Sequence, residues 1–79
     1  MSKQKIEAVM RASLDDYFQD LDGTAPHDLH ALVLPCFERP LLAYVLEKAQ
    51  GNQSKAAQWL GLNRNTLRKK LTDLGLLQE

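Results

Sequence analysis

The spacing of three residues in the last third of the chain limits the fold more than any other feature. Ala57 is followed four positions later by Gly61 and ten positions later by Leu67. A small residue lets two helices cross closely, a glycine allows a tight turn, and an aliphatic residue packs back from the second helix. The spacing therefore predicts a helix-turn-helix within residues 51–79.

The ends of the two helices are marked by residues that suit helix termini. Asn52 is a good N-cap for a first helix over Gln53–Leu60, and Asn63 or Arg64 begins a second helix that Gly75 ends. The rest of the core between the two helices is expected to come from Ala56, Trp59, Leu60 and Leu62 on the first helix and the turn, and from Leu67, Leu71 and Leu74 on the second.

The first half of the chain is also predicted to be helical. Apolar residues between Ser2 and Asp22 recur at spacings of three and four, which indicates one amphipathic helix. Gly23 should end this helix, because glycine adopts the left-handed conformation at little steric cost. A second helix is expected to run from Thr24, as its N-cap, to Gln50.

The second helix is unusual in its apolarity and its prolines. It is apolar around most of its circumference, which is typical of a helix that is buried on most sides. Pro35 and Pro40 lie inside it, so one kink is expected, with a break into two helices as the alternative. The predicted fold class is all-α with four helices. Residues 1–50 form the dimerisation helices and residues 51–79 the helix-turn-helix of one compact domain.

Chain length and the single cysteine restrict the class of protein. A chain of 79 residues buries only about 60 to 65 % of its unfolded surface, so association with a second copy is expected. Cys36 has no second thiol with which to form a disulfide, which fits a reducing compartment. No secretion signal is present, and the longest apolar run is far short of the roughly 20 residues of a membrane span. We expect a soluble cytoplasmic protein with no membrane partner.

Charge is sorted along the chain although the formal net charge is zero. Residues 1–50 carry five basic and eight acidic side chains, whereas residues 51–70 carry five basic side chains and no acidic one. Arg and Asn bond base edges bidentately, while Thr, Lys and Arg hold phosphates. Side chains of these kinds are expected on the outside of the helix pair at Lys55, Asn63, Arg64, Asn65, Thr66, Arg68, Lys69 and Lys70. The alternative is a solvated basic helix that closes a small bundle.

These residues resemble the Fis family (factor for inversion stimulation), the bacterial nucleoid-associated DNA-bending proteins. The resemblance runs from about Leu14 to Leu77 and is most specific in the final third of the chain. It is carried by Pro40-Leu41-Leu42, Gly51-Asn52-Gln53, Ala56-Ala57, Gly61-Leu62-Asn63-Arg64, Thr66-Leu67-Arg68-Lys69-Lys70-Leu71 and Gly75. It implies a homodimer in which the first two helices of each subunit intertwine into a core, with a helix-turn-helix at each end.

The resemblance also implies roles for individual residues. Asn63 and Arg64 match the base-contacting pair of the family, with Arg64 reading a guanine near each end of the DNA site. Ser54 stands where the best-known relatives have threonine, so the hydroxyl chemistry is kept. The implied phosphate contacts are Asn52, Ser54, Lys55, Thr66, Arg68, Lys69 and Lys70.

The function implied by the resemblance is that of a nucleoid-associated regulator that bends double-stranded DNA. The two recognition helices of the family lie closer together than successive major grooves on straight DNA. The duplex must then bend, and a degenerate palindromic site with an A/T-rich centre is expected. RNA polymerase and recombinases are further candidate partners. The N-terminal β-hairpin arm of the family is not expected, because the residues ahead of Leu14 are helical in pattern.

Other functions fit the sequence less well. Enhancer-binding activators end in a similar domain, so the DNA-binding module of a larger activator is one alternative, and a protein-interaction bundle is another. No cofactor or metal site is expected, since His27, His30 and Cys36 are too few for a zinc site. Ser13, Ser54 and Cys36 lack the histidine and acid partners of a catalytic nucleophile. The chain is therefore predicted not to be an enzyme.

Overall fold

Four α-helices make up the fold. In a computed structural model that describes residues 1–77, α1 spans Lys3–Asp20, α2 spans Leu29–Lys48, α3 spans Gln53–Leu60 and α4 spans Arg64–Asp73. No strand occurs within residues 1–77, which confirms the all-α prediction. Residues 78 and 79, the end of the predicted 51–79 unit, lie outside the described part of the chain.

Helix α1 has the predicted ends but contributes little to the core. The Ser2 hydroxyl caps it by accepting the Lys5 backbone N–H at 3.2 Å. Gly23 follows it with a φ of 85°, the left-handed conformation expected there. No residue of α1 is buried, and its apolar Leu14 and Tyr17 are only half-buried. Most of the apolar surface of α1 is therefore left without a partner in the single subunit.

Helix α2 begins at Leu29, later than the sequence predicts. Thr24 is not its N-cap, because it lies five residues ahead of Leu29, in the turn that follows α1, where its backbone N–H donates to the Leu21 carbonyl at 3.0 Å. Asp28 takes the N-cap position with a φ of 51°, and its carbonyl accepts the Leu32 backbone N–H at 3.1 Å. The prediction was wrong because the turn that follows α1 extends to Thr24 and the helix starts only after it.

Both prolines lie inside one uninterrupted helix. Pro35 and Pro40 are within α2, so the alternative of two separate helices is wrong. Each proline lacks the N–H that would bond the carbonyl four residues earlier, which leaves the carbonyls of Ala31 and Cys36 without their usual partners. The remaining residues keep the segment helical across both positions.

A small core joins the second half of α2 to the helix-turn-helix. Its buried members are Leu42, Ala49, Ala56, Ala57, Leu67 and Leu71. Half-buried residues surround it, among them Val45, Leu46, Leu60, Leu62 and Leu74. This core holds α3 and α4 against α2, and it is what positions the candidate site.

Much of α2 is exposed, although it was expected to be buried on most sides. Within α2, all of which the structure describes, only Leu42 is buried, whereas Leu32, Leu41 and Tyr44 are about half exposed. One subunit has too few elements to cover this helix.

By length and composition α2 also resembles a membrane span, but core helices of soluble proteins share these properties. The sequence expectation counted only uninterrupted apolar residues, so it did not identify α2 as a helix with the length and composition of a membrane span.

Candidate nucleic-acid interface

The turn between α3 and α4 depends on one glycine. Gly61 has a φ of 72°, a left-handed conformation that costs a residue with a side chain about 1–2 kcal/mol. Its N–H donates to the Gln58 carbonyl at 3.2 Å, and the Leu62 N–H donates to the Ala57 carbonyl at 2.9 Å. No atom lies within 4 Å of the place that a Cβ would take on Gly61. The backbone angle, and not close packing, therefore requires glycine here.

The inner face of α4 is fully covered. Leu67 and Leu71 are 1 % and 0 % exposed, and Ala57 of α3 is 3 % exposed. The three residues belong to the same core, so α3 and α4 pack against each other as the sequence spacing predicts. The outer face of α4 is thereby left to solvent.

An asparagine caps the start of α4. Asn63 has an extended backbone, and its Oδ1 accepts the Asn65 backbone N–H at 2.8 Å. Arg64 is the first helical residue, which decides between the two predicted starts. Oδ1 is engaged in the cap, whereas Nδ2 makes no hydrogen bond within residues 1–77 and can donate to a ligand.

Helix α3 begins in the same way. Asn52 Oδ1 accepts the Lys55 backbone N–H at 3.1 Å, which confirms the predicted N-cap. Ser54 and Lys55 lie in the first turn and are exposed. Unbonded backbone N–H groups at a helix start attract anions. The start of each helix therefore combines unbonded backbone N–H groups with an asparagine amide and a nearby basic side chain.

Eight of the nine residues predicted to contact DNA are exposed. All eight belong to α3, α4 or their N-caps, so the packing of the two helices carries them as one rigid unit. They are Asn52, Ser54, Lys55, Asn63, Arg64, Thr66, Arg68 and Lys69.

Lys70 is the exception among the predicted contacts. Its Nζ lies 3.0 Å from Oε2 of Glu38 on α2, and the two side chains are 36 % and 27 % exposed. The ammonium group is thus turned toward α2, where a carboxylate already balances its charge. The phosphate contact of Lys70 stays a prediction, and in the subunit this lysine already has a partner within the protein.

The remaining basic side chains form a positive surface. Within residues 1–77, Lys55, Arg64 and Arg68 form no salt bridge. Lys69 Nζ lies 3.5 Å from Asp73 Oδ2, but these side chains are 77 % and 64 % exposed. An exposed pair of this helical spacing contributes only about 0.3–0.5 kcal/mol. A phosphate group can therefore replace Asp73 at little cost.

Trp59 was expected in the core and is instead 54 % exposed. Ala56 and Ala57 take the buried positions of α3, which leaves the indole at the surface. The Lys55 Nζ lies 5.1 Å from the centre of the indole ring, within the range of a cation–π interaction. The prediction was wrong because apolar character alone does not say which side of a short helix is covered.

Two residues that position α4 were missed in the sequence. Glu38 and Arg39 are adjacent on the apolar helix α2. Glu38 pairs with Lys70, and the Arg39 guanidinium donates to the Leu74 carbonyl at the end of α4. Two neighbouring charges inside an apolar helix were the available signal, because a partly buried charge such as that of Glu38 needs a partner.

The amino-acid sequence of the chain is similar to those of known proteins. A model of the family described as bacterial regulatory protein, Fis family, matches residues 33–74. A Fis-like DNA-binding protein of Ralstonia nicotianae is 56 % identical over 98 % of this chain and 100 % of its own length. A second one, from Neisseria meningitidis serogroup A, is 54 % identical over 91 % of each chain. The DNA-binding protein Fis of Proteus mirabilis is 41 % identical over 96 % of this chain and 78 % of its own length. The chain belongs to the Fis family of bacterial regulatory proteins, and it is a DNA-binding protein and not an enzyme.

Proposed function

We propose that the chain acts as a homodimer that binds and bends duplex DNA, and that it regulates transcription in the nucleoid of the bacterial cytoplasm. The observation that carries this proposal is the exposed, acid-free start of α4, where Asn63, Arg64 and Thr66 stand together. The amino-terminal end of the second helix is the part of a helix-turn-helix that enters the major groove. Helix α4 is therefore the proposed recognition helix.

Arg64 and Asn63 are the proposed base contacts. The Arg64 guanidinium is exposed and forms no salt bridge within residues 1–77, so it is free to bond guanine O6 and N7 together. Asn63 keeps Oδ1 in the helix cap, so only its Nδ2 donates to DNA. The bidentate pairing of asparagine with adenine uses both groups. Because the cap already uses Oδ1, we propose that Asn63 contacts DNA mainly through Nδ2, at an acceptor such as guanine N7.

The proposed phosphate contacts come from both helices. Their exposed side chains supply hydroxyl, amide and cationic donors, which are the groups that hold a DNA backbone in register. Asn52 donates through Nδ2, since its Oδ1 caps α3. The proposed set is Asn52, Ser54, Lys55, Thr66, Arg68 and Lys69.

The amount of exposed surface supports a homodimer. The subunit has an accessible surface of 6487 Å², whereas a compact monomer of 8.9 kDa has about 4,800 Å². Its radius of gyration is 15.0 Å, against about 12 Å for a compact domain of this length. The excess of roughly 1,700 Å² per subunit is the amount that obligate homodimers bury. A second copy of the chain would cover such a surface.

Helices α1 and α2 are the proposed dimer interface, which makes residues 1–50 the dimerisation unit. Soluble monomers rarely expose contiguous apolar patches of more than a few hundred Å². Leu14 and Tyr17 of α1 and Val33 and Phe37 of α2 line an apolar cleft between the two helices. The same two helices expose the apolar side chains of Ile6, Val9, Phe18, Leu32, Leu34, Leu41 and Tyr44.

Bending follows from the symmetry of such a dimer. A two-fold dimer presents two α4 helices at a fixed separation, whereas successive major grooves on straight DNA are about 34 Å apart. The family resemblance gives a shorter separation, so the duplex bends to meet both helices. The energy of bending depends on the base steps that are deformed, which selects a flexible centre without contacting it.

RNA polymerase and recombinases are proposed as partners on the family resemblance alone. The residues ahead of Leu14 form helix α1 from Lys3 onward. They form no β-hairpin arm, so recombinase contact through such an arm gains no support from the structure.

A mobility-shift assay at two salt concentrations tests the DNA-binding part of the proposal. Six to ten phosphate contacts imply a loss of affinity of about 10³- to 10⁵-fold between roughly 50 and 200 mM salt. Sedimentation of the free protein and of the complex should give two subunits of 8.9 kDa each. A bundle that binds only proteins would give no salt-dependent shift, and a monomer on DNA would contradict the dimer.

A further inference from the structure

We infer that Glu38 and Arg39 set the angle of α4 against α2, and that this angle determines how sharply a duplex must bend to be bound. The inference rests on the proposed function, because only a dimer with two α4 helices converts the angle into a bend. Both are positioning residues, and neither is assigned a contact with DNA.

The two residues make the long-range polar contacts of the subunit. Among the side-chain hydrogen bonds within residues 1–77, only two join positions more than four apart. In one, Lys70 Nζ donates to Glu38 Oε2 at 3.0 Å. In the other, the Arg39 guanidinium donates to the Leu74 carbonyl. Both therefore run from the middle of α2 to α4.

Both contacts are made at the carboxyl end of α4. Lys70 lies in its last turn and Leu74 is its C-cap. The last carbonyls of a helix have no partner within the helix, and this end carries partial negative charge. The Arg39 guanidinium therefore meets a carbonyl that favours a cation. Glu38 adds a carboxylate that accepts a hydrogen bond from Lys70 of α4.

The two hydrogen bonds add direction to the contact that the core makes by burial. Burial of Leu67 and Leu71 holds α4 against its neighbours, but hydrophobic contact is non-directional. Two hydrogen bonds at one end of the helix define its direction. Any change of that direction moves the opposite end, where Arg64 is exposed. In a dimer the change occurs twice, and the separation of the two recognition ends changes with it.

A comparison of two isosteric variants tests the inference. Glu38→Gln removes the carboxylate that pairs with Lys70, and Glu47→Gln makes the same change of charge at an exposed position of α2 without a side-chain hydrogen bond among the described residues. Each protein is titrated with two duplexes that share their half-sites and differ only in an A/T-rich or G/C-rich centre. We expect Glu38→Gln to lower the ratio of the two affinities by about 3- to 10-fold, with a matching change in bend angle. Glu47→Gln should keep the wild-type ratio.

A charge-swapped pair separates positioning from phosphate contact. Lys70→Glu alone should lower the ratio, and the double variant Glu38→Lys with Lys70→Glu should restore it, since the pair is rebuilt with reversed signs. If Lys70 instead held a phosphate, the double variant would bind both duplexes more weakly and would not recover. Circular dichroism of every variant checks that the helices are intact.

The outcomes distinguish a failure of the proposed function from a failure of the inference alone. If the wild-type protein bound neither duplex, the proposed function would fail and the inference with it. If the wild-type protein bound and discriminated, and Glu38→Gln gave the same ratio as Glu47→Gln, the inference alone would be overturned.

Discussion

Single residues of α4 divide between two opposite tasks. Leu67 and Leu71 are almost completely buried, whereas Arg64, Arg68 and Lys69 are exposed on the same helix. Leu67 and Leu71 are four residues apart and share the covered face, whereas Arg64 is the first residue of the helix and is exposed at its start. Substitutions in the first set should therefore change stability, and substitutions in the second set should change DNA binding.

Arg64→Ala should weaken binding to the preferred site by about 1–3 kcal/mol for each half-site and bring it closer to non-specific binding. The physical reason is the loss of the guanidinium that bonds a guanine edge. Fluorescence anisotropy with a specific and a scrambled duplex measures the two affinities. Lys69→Ala is the control, and it should weaken both duplexes alike and lower the salt slope by about 1. An unchanged affinity ratio in Arg64→Ala would show that this residue does not read bases.

Leu71→Ala should lower the free energy of unfolding by about 2–5 kcal/mol, because it leaves a cavity in a fully buried position. Trp59→Ala removes a larger side chain, but the indole is 54 % exposed. Its cost should stay below about 1 kcal/mol. Urea denaturation at one fixed protein concentration compares the two variants. Equal losses would contradict the surface position of Trp59.

The sequence reveals the exposed residues of the site better than it reveals their neighbours. An acid-free run on a helical period predicts that Arg64 and Arg68 face solvent, because nothing nearby in the sequence could neutralise them. The same pattern did not predict the exposure of Trp59 or the ion pair of Lys70. The position of Trp59 depends on which face of α3 the core covers, and that of Lys70 depends on Glu38, which lies 32 positions away.

The start of α4 combines a structural role with a binding role in one side chain. Asn63 uses Oδ1 to cap the helix and leaves Nδ2 for DNA. The same division occurs at Asn52 on α3. The N-cap asparagine therefore has two roles in each helix. Its Oδ1 stabilises the start of the helix, and its Nδ2 is a hydrogen-bond donor for DNA.

Three substitutions at Asn63 separate the two roles. Asn63→Ala removes the cap and should cost about 0.5–2 kcal/mol of stability. Asn63→Asp keeps the cap and favours the helix dipole by about 0.3–1 kcal/mol, but its carboxylate donates nothing and repels phosphate. Asn63→Ser keeps the cap without the amide. Thermal denaturation and duplex titration are run on each variant. Wild-type DNA affinity in Asn63→Asp would contradict the contact, and a loss of stability equal to that of Asn63→Ala would contradict the cap.

Most element boundaries could be predicted because local residues set them. Ser2, Asn52 and Gly61 act on the turns in which they stand, so their effects are visible in the sequence. The start of α2 could not be predicted from Thr24, because this residue belongs to the turn that follows α1. The continuity of α2 through Pro35 and Pro40 was also undecided, since a proline pattern fits both a kinked helix and a break.

The whole molecule has its apolar and its basic surfaces on different parts of the chain. Helices α1 and α2 leave their apolar side chains exposed, while α3 and α4 carry the basic side chains without an acid before Asp73. The sequence leads to the prediction of a second copy, because 79 residues form a small core, and the exposed apolar surface supports that prediction. It could not predict which faces remain open, since this depends on how far α1 covers α2.

Leu41→Asp should convert the proposed dimer to a monomer, because a carboxylate in an apolar interface would lose its hydration. Leu41 is 53 % exposed in the single subunit, so the change should leave the subunit core largely intact. Sedimentation measures the mass, and the melting temperature should lose its dependence on protein concentration. Gln4→Asp adds the same charge at an exposed polar position of α1 and should stay dimeric. A dimer in both variants would place the interface elsewhere.

The bend angle measured on a circularly permuted set of DNA fragments shows whether the protein bends the duplex as proposed. Each fragment has the same length and carries the binding site at a different distance from its ends. With the wild-type dimer, the account predicts the slowest migration when the site is at the centre and the fastest when it is at an end. Leu41→Asp should bind weakly and show no such dependence. Tight binding by the wild-type protein with a mobility that is independent of site position would contradict the account.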